Sequence, residues 1–183
     1  MEMRASRCWS IAMVIALFGC AEEATDAEEA GNDDRGCDQE CRDSTAGTEV
    51  ADGFQDVWSR YIAGTPAGFV DRTVNCAFGG TDHFYGTTSA SDNGINTMHL
   101  THDMAGCAHS QGGITYTGIV TQDGSFDSSH LNVAYGSAAL RVAGTVDGEL
   151  FDETCPFSMT EEYDSSSYSA SGLLCGRSFS DSY

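Results

Sequence analysis

Histidine and cysteine are the residue types of this chain that could perform chemistry, and their spacing limits what that chemistry can be. The segment His99-Leu100-Thr101-His102 invites a metal-site interpretation. On a β-strand, however, side chains three positions apart point to opposite faces, so these two histidines cannot share an ion. No G-x-S-x-G serine elbow occurs, and the paired carboxylates are adjacent residues that would face opposite ways on a strand. The sequence therefore predicts neither an enzyme nor a bound metal or cofactor.

The N-terminus has the pattern of an export signal. Arg4 and Arg7 precede an apolar run at residues 11–18. That run is too short to span a bilayer, and a short apolar run after basic residues is typical of a secretory signal peptide. We therefore expect the chain to be exported.

The end of the apolar run, Leu17-Phe18-Gly19-Cys20, resembles the lipobox of bacterial lipoproteins. This resemblance implies that residues 1–19 are a signal peptide, that the chain is cut before Cys20 and that a lipid is attached to this cysteine. In that family an Asp after the cysteine retains the protein in the inner membrane, so Ala21 implies the outer membrane. The alternative is an ordinary signal peptide with a chance cysteine at its end.

Acidic residues dominate the composition. The formal net charge is −20 over 183 residues, and every basic residue is an arginine. Such a surface repels nucleic acid, so we expect no nucleic-acid partner. Residues 20–51 have almost no large apolar side chain and cannot bury enough surface to offset their ordering entropy. They are therefore predicted to follow the lipidated cysteine as a disordered acidic tether for the domain at residues 52–183.

From Asp52 onwards the pattern predicts a helix and then a β-meander. Five apolar residues recur at the spacing of one helix face, which predicts a short amphipathic helix over residues 53–63: Phe54, Val57, Trp58, Tyr61 and Ile62. Short alternating runs separated by turn dipeptides then predict eight antiparallel strands. The predicted strands are residues 69–78, 81–90, 95–104, 113–121, 126–135, 138–146, 149–160 and 167–178.

The apolar face of such a meander has to be covered. We therefore expect an all-β fold, in which a strongly curved sheet or partly closed barrel carries the short N-terminal helix packed on it. Two-residue hairpins at Gly79-Gly80 and Asn93-Gly94 would place Tyr85 opposite His102 on the inner face. Four side chains then form a candidate ligand pocket: His83, Tyr85, His102 and Trp58. The alternative is a pair of half-buried, hydrogen-bonded histidines near a rim.

Six cysteines lie beyond the lipobox, and an even number in an exported chain favours disulfides over zinc. They are Cys37, Cys41, Cys76, Cys107, Cys155 and Cys175. If a three-residue turn joins the last two strands, Cys155 lies opposite Cys175 within disulfide reach. Cys76 and Cys107 are then left to each other, and Cys37 and Cys41 would close a small ring in the tether.

The motif Cys-x-x-Gly-Gly starting at Cys76 and the ending Gly172-Leu173-Leu174-Cys175-Gly176 are similar to a broad type of uncharacterised bacterial lipoprotein. In that type a tether precedes a cysteine-containing β-meander, so the resemblance implies a fold and no activity. We expect a lipid-anchored protein of the bacterial cell envelope whose β domain binds or displays, without catalysis. Its partner is a protein or a small molecule. One alternative is a carrier of a small apolar or amphipathic ligand inside the barrel, and a less favoured one is an enzyme.

Overall fold

The computed structural model of the chain describes residues 39–92, 96–146 and 148–182. The predicted signal peptide and Cys20 lie outside the described residues, as does the predicted Cys37–Cys41 bridge. A helix, α1, spans Gln39–Val57 and continues as a short π-helical segment over Trp58–Ile62. Eight strands follow, and their bounds are β1 Gly68–Asn75, β2 Thr81–Ala90, β3 Asn96–Ala108, β4 Thr115–Phe126, β5 Leu131–Val146, β6 Glu149–Asp164, β7 Ser167–Leu174 and β8 Arg177–Ser182.

The strands form one antiparallel sheet in the order β1 to β8, so each strand pairs with its neighbours in the chain. The predicted meander of eight strands is therefore confirmed, and the sheet is not closed. Within the described residues, no helix is long and apolar enough to cross a membrane.

Two predicted hairpins are wrong, because the strands run straight through their glycines. β4 passes through Asp123-Gly124, and β5 passes through Gly136-Ser137 with a bulge before Leu140. Gly124 serves a close approach rather than a turn, since a Cβ there would lie 2.7 Å from Cα of Val133. The number of strands is still eight. Two predicted strands merge into β5, but the predicted last strand is divided into β7 and β8 by a turn in which Cys175 and Gly176 have φ of 54° and 80°.

The pairing of β2 with both of its neighbours is shifted from the prediction, and as a result the opposite face of β2 points to the core. Asn75 pairs with Thr81, so the first loop has five residues rather than two. Ala90 pairs with Asn96, so His102 lies opposite Phe84 and not opposite Tyr85. Because side chains alternate along a strand, the inner face of β2 carries the even-numbered residues instead of the odd-numbered ones.

The helix is longer than predicted and begins inside the segment expected to be a tether. Residues 39–51 are helical, and Ala46, Val50 and Ala51 are fully buried. Small side chains allow this contact, because a Cβ at Gly47 would overlap the ring of Phe179 on β8. The predicted aromatic part of the helix is confirmed as a packing face, with Phe54 4% exposed.

Both disulfides predicted for the β domain are confirmed. Cys76 and Cys107 are bridged with their Cα atoms 5.4 Å apart, and Cys155 and Cys175 with theirs 5.0 Å apart. The pairing of β6 with β7 differs by one residue from the prediction, because Leu174 and not Leu173 lies opposite Phe157. A bridge between neighbouring strands tolerates this shift, since it needs only nearby Cα atoms.

Candidate functional site

A cleft of the domain lies where the π-helical segment meets the turn between β4 and β5. It has a volume of about 440 Å³ and is open to solvent. Aromatic side chains from four different elements form its walls: Trp58, Phe126, Tyr163 and Tyr168. Trp58 meets Phe126 edge to face, with ring centroids 4.7 Å apart. The cleft therefore has fixed aromatic walls, and Trp58 is a half-buried part of them.

One carboxyl group, that of Glu161, lines this cleft from inside the fold. Glu161 lies on β6 at an inner-face position and is 0% exposed. Its Oε2 accepts a 2.8 Å hydrogen bond from the Tyr135 hydroxyl, whereas its Oε1 is buried without a hydrogen-bond partner. Burial raises the pKa of the Glu161 carboxyl, and the hydroxyls of Tyr135 and Tyr168 act in the opposite direction. An unpaired carboxylate oxygen in a cleft is a binding group for a ligand that can donate or carry positive charge.

Glu161 is the end of a hydrogen-bonded chain that crosses the inner face of the sheet. From Tyr135 the chain continues to Nε2 of Gln122 at 3.0 Å, and Oε1 of Gln122 lies 2.9 Å from Nε2 of His102. Nδ1 of His102 is 2.8 Å from Oδ2 of Asp82. These five side chains come from five consecutive strands, β2 to β6, and all are buried. The cleft is thus connected to a polar core that packing has fixed in place.

The direction of these hydrogen bonds assigns the protons. Gln122 offers its oxygen to His102 and its nitrogen to Tyr135, so the Tyr135 hydroxyl is free to donate to Glu161. Nε2 of His102 then donates to Oε1 of Gln122, and one proton is shared between Nδ1 of His102 and Oδ2 of Asp82. Whichever of the two atoms holds that proton, the Asp82–His102 pair has no net charge.

Phe54 of α1 lies over the middle of this chain and excludes water from it. Its ring meets His102 edge to face at 5.6 Å and lies 4.6 Å from the ring of Tyr135. Burial, followed by the charge of Glu161, raises the pKa of the Tyr135 hydroxyl well above its ordinary value. Tyr135 therefore stays protonated and remains a donor to Glu161.

The turn at the mouth of the cleft is held by Asp127. Its Oδ1 accepts hydrogen bonds from the backbone N–H groups of Ser129 at 2.7 Å and His130 at 2.9 Å. The bonds from Ser129, backbone first, and then those from His130 lower the pKa of Asp127 to about 2. The mouth therefore carries a fixed negative charge next to Phe126.

The pocket predicted from the sequence is wrong, because its four residues do not come together. His83 and Tyr85 lie on the outer face, where the two ring centroids are 5.2 Å apart with the rings tilted by 35°, and His83 bonds to Asp71 at 2.8 Å. His102 lies on the inner face, fully buried. Trp58 lines a cleft, but with partners other than those predicted. The cause is that the inner face of β2 is the opposite of the predicted one, so its odd-numbered residues face outwards.

A second, acidic cavity of about 250 Å³ joins the middle of α1 to the end of β3. Its lining residues are Glu49, Asp52, Asp56, His109 and Ser110. Two of its three carboxylates have partners, since Glu49 accepts from the N–H of Ile114 at 3.2 Å and Asp56 bonds to His109 at 3.2 Å. Burial lowers the pKa of His109, and burial followed by the charges of Asp181 and Glu49 raises that of Asp52. These contacts attach the helix to the sheet.

Two groups of side chains in the described part of the chain have the spacing of a metal site, and both rest on disulfide cysteines. One is Cys76, Cys107 and His109, and the other is Glu153, Cys155 and Cys175. A cysteine binds metal as a thiolate, so these cysteines are not ligands while they are oxidised.

The sequence signalled only part of the buried chain. A polar residue at an inner-face position interrupts apolar alternation, as His102 does, but Gln122 and Glu161 lie beyond the predicted strands and Asp82 lies on the face of β2 expected to point outwards. Comparison with known proteins adds no assignment, because no protein-family model matches the chain and no match is found among curated proteins or solved structures.

Proposed function

We propose that the chain is a lipid-anchored protein of the bacterial cell envelope whose β domain binds a small amphipathic molecule, without catalysis, in the cleft beneath Trp58. One observation carries the binding part: the buried Oε1 of Glu161 lines this cleft and has no hydrogen-bond partner. A buried polar atom without a partner costs stability. A ligand that pairs with it removes that cost.

The size and lining of the cleft support a small-molecule ligand. Small-molecule sites typically have volumes of roughly 300–1,000 Å³ and combine apolar walls with a few placed polar groups. The cleft has about 440 Å³, aromatic walls and one buried carboxyl group. The middle of the interior is filled by side chains, because Phe54 and Phe157 stack there at 6.0 Å and both are buried. The ligand of this proposal therefore lies at one end of the domain.

In the same proposal the sheet is strongly curved around the helix. Eight flat strands would be about 34 Å wide, whereas a helix is roughly 10–12 Å wide. Inner-face residues are nevertheless buried from Phe84 on β2 to Phe179 on β8. Phe54 alone reaches His102 on β3, Tyr135 on β5 and Phe157 on β6. A single helix covers so many strands when the strands wrap towards it.

The binding part is tested with Trp58 as the probe. The sequence has two tryptophans, Trp9 and Trp58, so a full chain carrying Trp9→Phe reports on the cleft alone. A library of small amphipathic compounds is screened by Trp58 fluorescence and by thermal shift. We expect hits whose binding is lost in Glu161→Gln or Trp58→Ala and kept in Phe69→Ala, which alters an exposed outer-face ring. A library without any hit of this kind contradicts the proposed binding.

The anchor is tested separately, because its support is the lipobox resemblance at Leu17-Phe18-Gly19-Cys20. Mass spectrometry of the mature protein from a bacterial host should find a diacylglycerol on Cys20 as the first residue. Cys20→Ser should accumulate as an unprocessed or released form. A mature protein that begins at another residue without lipid contradicts the anchor and leaves the cleft unaffected.

A further inference from the structure

We propose that the ligand of this cleft is an organic cation, a small amine or quaternary ammonium compound whose positive charge meets Oε1 of Glu161. This inference rests on the proposed binding function and names the class of its ligand. It is carried by three features of the cleft: the charge balance of the buried chain, the unpaired oxygen and the aromatic walls.

The buried chain has no internal partner for the charge of Glu161. At its other end Asp82 and His102 share one proton and together carry no net charge, and Gln122 and Tyr135 are neutral. Tyr135 donates one hydrogen bond to Glu161 but brings no positive charge. When the Glu161 carboxyl ionises, its negative charge in the cleft is therefore uncompensated.

Neither arginine nor lysine is available to pair with Glu161 in the cleft. Among the described residues no arginine lines the cleft, and the sequence contains no lysine. Asp127 and His130 line the mouth, where they bond to each other at 3.3 Å, so the His130 ring is already engaged by a carboxylate. A buried charge is stable when it is paired, so the missing positive charge has to come from the ligand.

The walls fit the same class of ligand. Aromatic faces attract cations through their quadrupole, and this attraction is strongest for tryptophan. Trp58 and Phe126 form one wall, and Tyr163 and Tyr168 line the cleft with Glu161. In such a cleft the aromatic rings contact the methyl or methylene groups of an organic cation, and the carboxylate pairs with its positive charge. An anionic ligand would meet Glu161, Asp127 and the overall charge of −20, so it is disfavoured.

The charge is isolated with a matched pair of probes. These are choline and its neutral isostere, in which a tert-butyl group replaces the trimethylammonium group. Benzyltrimethylammonium serves as a larger cation that fills more of the cleft. Titrations follow Trp58 fluorescence in the full chain carrying Trp9→Phe at several pH values. Burial raises the pKa of Glu161, so the cations should bind more tightly as the pH rises and the carboxyl ionises. We expect both cations to bind and the isostere to bind about tenfold more weakly, or worse.

Two neighbouring glutamates provide the variant and its control. Glu161→Gln removes the buried carboxylate, whereas Glu162→Gln removes an exposed one on the other face of β6 and changes the net charge equally. We expect Glu161→Gln to weaken both cations about tenfold and to leave the isostere unchanged. Glu162→Gln should leave all three affinities unchanged. Circular dichroism and thermal melting verify that each variant is folded.

A second variant keeps the test decisive if Glu161→Gln alters the fold. Trp58→Leu removes the ring but keeps an apolar side chain, and its titrations are followed by calorimetry. It should weaken benzyltrimethylammonium more than the neutral isostere. Equal binding of choline and its isostere by the unsubstituted cleft overturns the cation and leaves the proposed binding function in place. A cleft that binds neither these probes nor any library compound overturns both.

Discussion

The hydroxyl of Tyr135 donates a 2.8 Å hydrogen bond to Oε2 of Glu161, and both side chains are buried beneath the helix. Tyr135 also accepts from Nε2 of Gln122 at 3.0 Å, so it joins the cleft to the buried Asp82–His102 pair. A hydroxyl can fill this place because it donates and accepts at once. The polar chain of the inner face therefore depends on this side chain for its continuity.

Removing that hydroxyl should destabilise the domain. Tyr135→Phe leaves Nε2 of Gln122 and Oε2 of Glu161 buried without this partner. Leaving buried polar groups unpaired typically costs about 1–3 kcal/mol. Chemical denaturation should show a loss of stability of this size. The control is Tyr85→Phe on the outer face, where Tyr85 is 37% exposed, and it should be close to neutral. Equal stability of the two variants would contradict a role for the chain.

The stability of the domain should fall as the pH rises above the ordinary pKa of Glu161. Burial raises the pKa of this carboxyl from 4.5, so the folded protein binds its proton more tightly than the unfolded chain does. The resulting stabilisation is complete below pH 4.5 and is lost as the pH rises through the folded-state pKa. Each tenfold difference in proton affinity corresponds to about 1.4 kcal/mol.

Glu161→Gln removes this dependence, so the variant should be more stable than the unmodified protein at neutral pH. Urea titrations at several pH values measure the difference between the two proteins. Asp52, whose pKa is also raised, contributes to both curves and cancels in that difference. Glu162→Gln is the control and should follow the unmodified protein. If Glu161→Gln lost stability across the whole range, the carboxyl would be a stabilising group and the inferred cost of its burial would be wrong.

A methyl group added at Gly47 should weaken the packing of the helix against the sheet. Glycine in the interior of a helix costs about 1 kcal/mol of stability relative to alanine, so Gly→Ala at an exposed helical position would stabilise the protein. At Gly47 the new Cβ would overlap the ring of Phe179, and we expect a net loss of about 1–3 kcal/mol. Gly64→Ala, in the exposed turn after the helix, is the control for the added methyl group, because a Cβ there meets nothing within 4 Å. The changes in melting temperature caused by the two substitutions should have opposite signs or differ by several degrees.

The meander and two disulfides could be predicted because their signals are local. Turn residues at regular spacing indicate consecutive antiparallel strands, and neighbouring strands bring Cys155 close to Cys175 even when the pairing is one residue off. The face of β2 could not be predicted in the same way. The segment Asp82-His83-Phe84-Tyr85 carries an aromatic residue on each face, so alternation does not choose between them. The length of the preceding loop decides, and one residue reverses the result.

The start of the helix and the cleft were missed for a different reason. By composition the first part of the helix was assigned to the tether, because it lacks large apolar side chains. The small residues concerned are Ala46, Gly47, Val50 and Ala51. They are buried against parts of the chain that lie far away in sequence: Gly47, for example, packs on the ring of Phe179, more than a hundred residues further on. In the same way, Glu161 lies just beyond the predicted strand at residues 149–160, and only the longer β6, which pairs Glu161 with Val133, places it on the inner face. Contacts between distant parts of the chain carry no local sequence signal.

The two disulfides should stabilise different ends of the sheet. Chain entropy predicts a loss of roughly 3 kcal/mol for removing either bridge, because the closed loops span 20 and 31 residues. Replacing Cys155 and Cys175 by serine should release the turn before β8, which carries Phe179 against Gly47 of the helix. Hydrogen exchange should therefore speed up in β8 and in the first half of α1.

Replacing Cys76 and Cys107 by serine should instead release the loop at residues 76–80. The amide of Phe78 donates to the carbonyl oxygen of Ala108 at 3.0 Å, and the amide of Ala108 donates to that of Gly79 at 2.9 Å. These two amides should lose protection from exchange while those of β8 keep theirs, since exchange reports local opening. The contrast is decided by comparing the two double variants under the same conditions. Faster exchange throughout the sheet in both would mean that the domain opens as one unit, and the assignment of each bridge to its own end would be wrong.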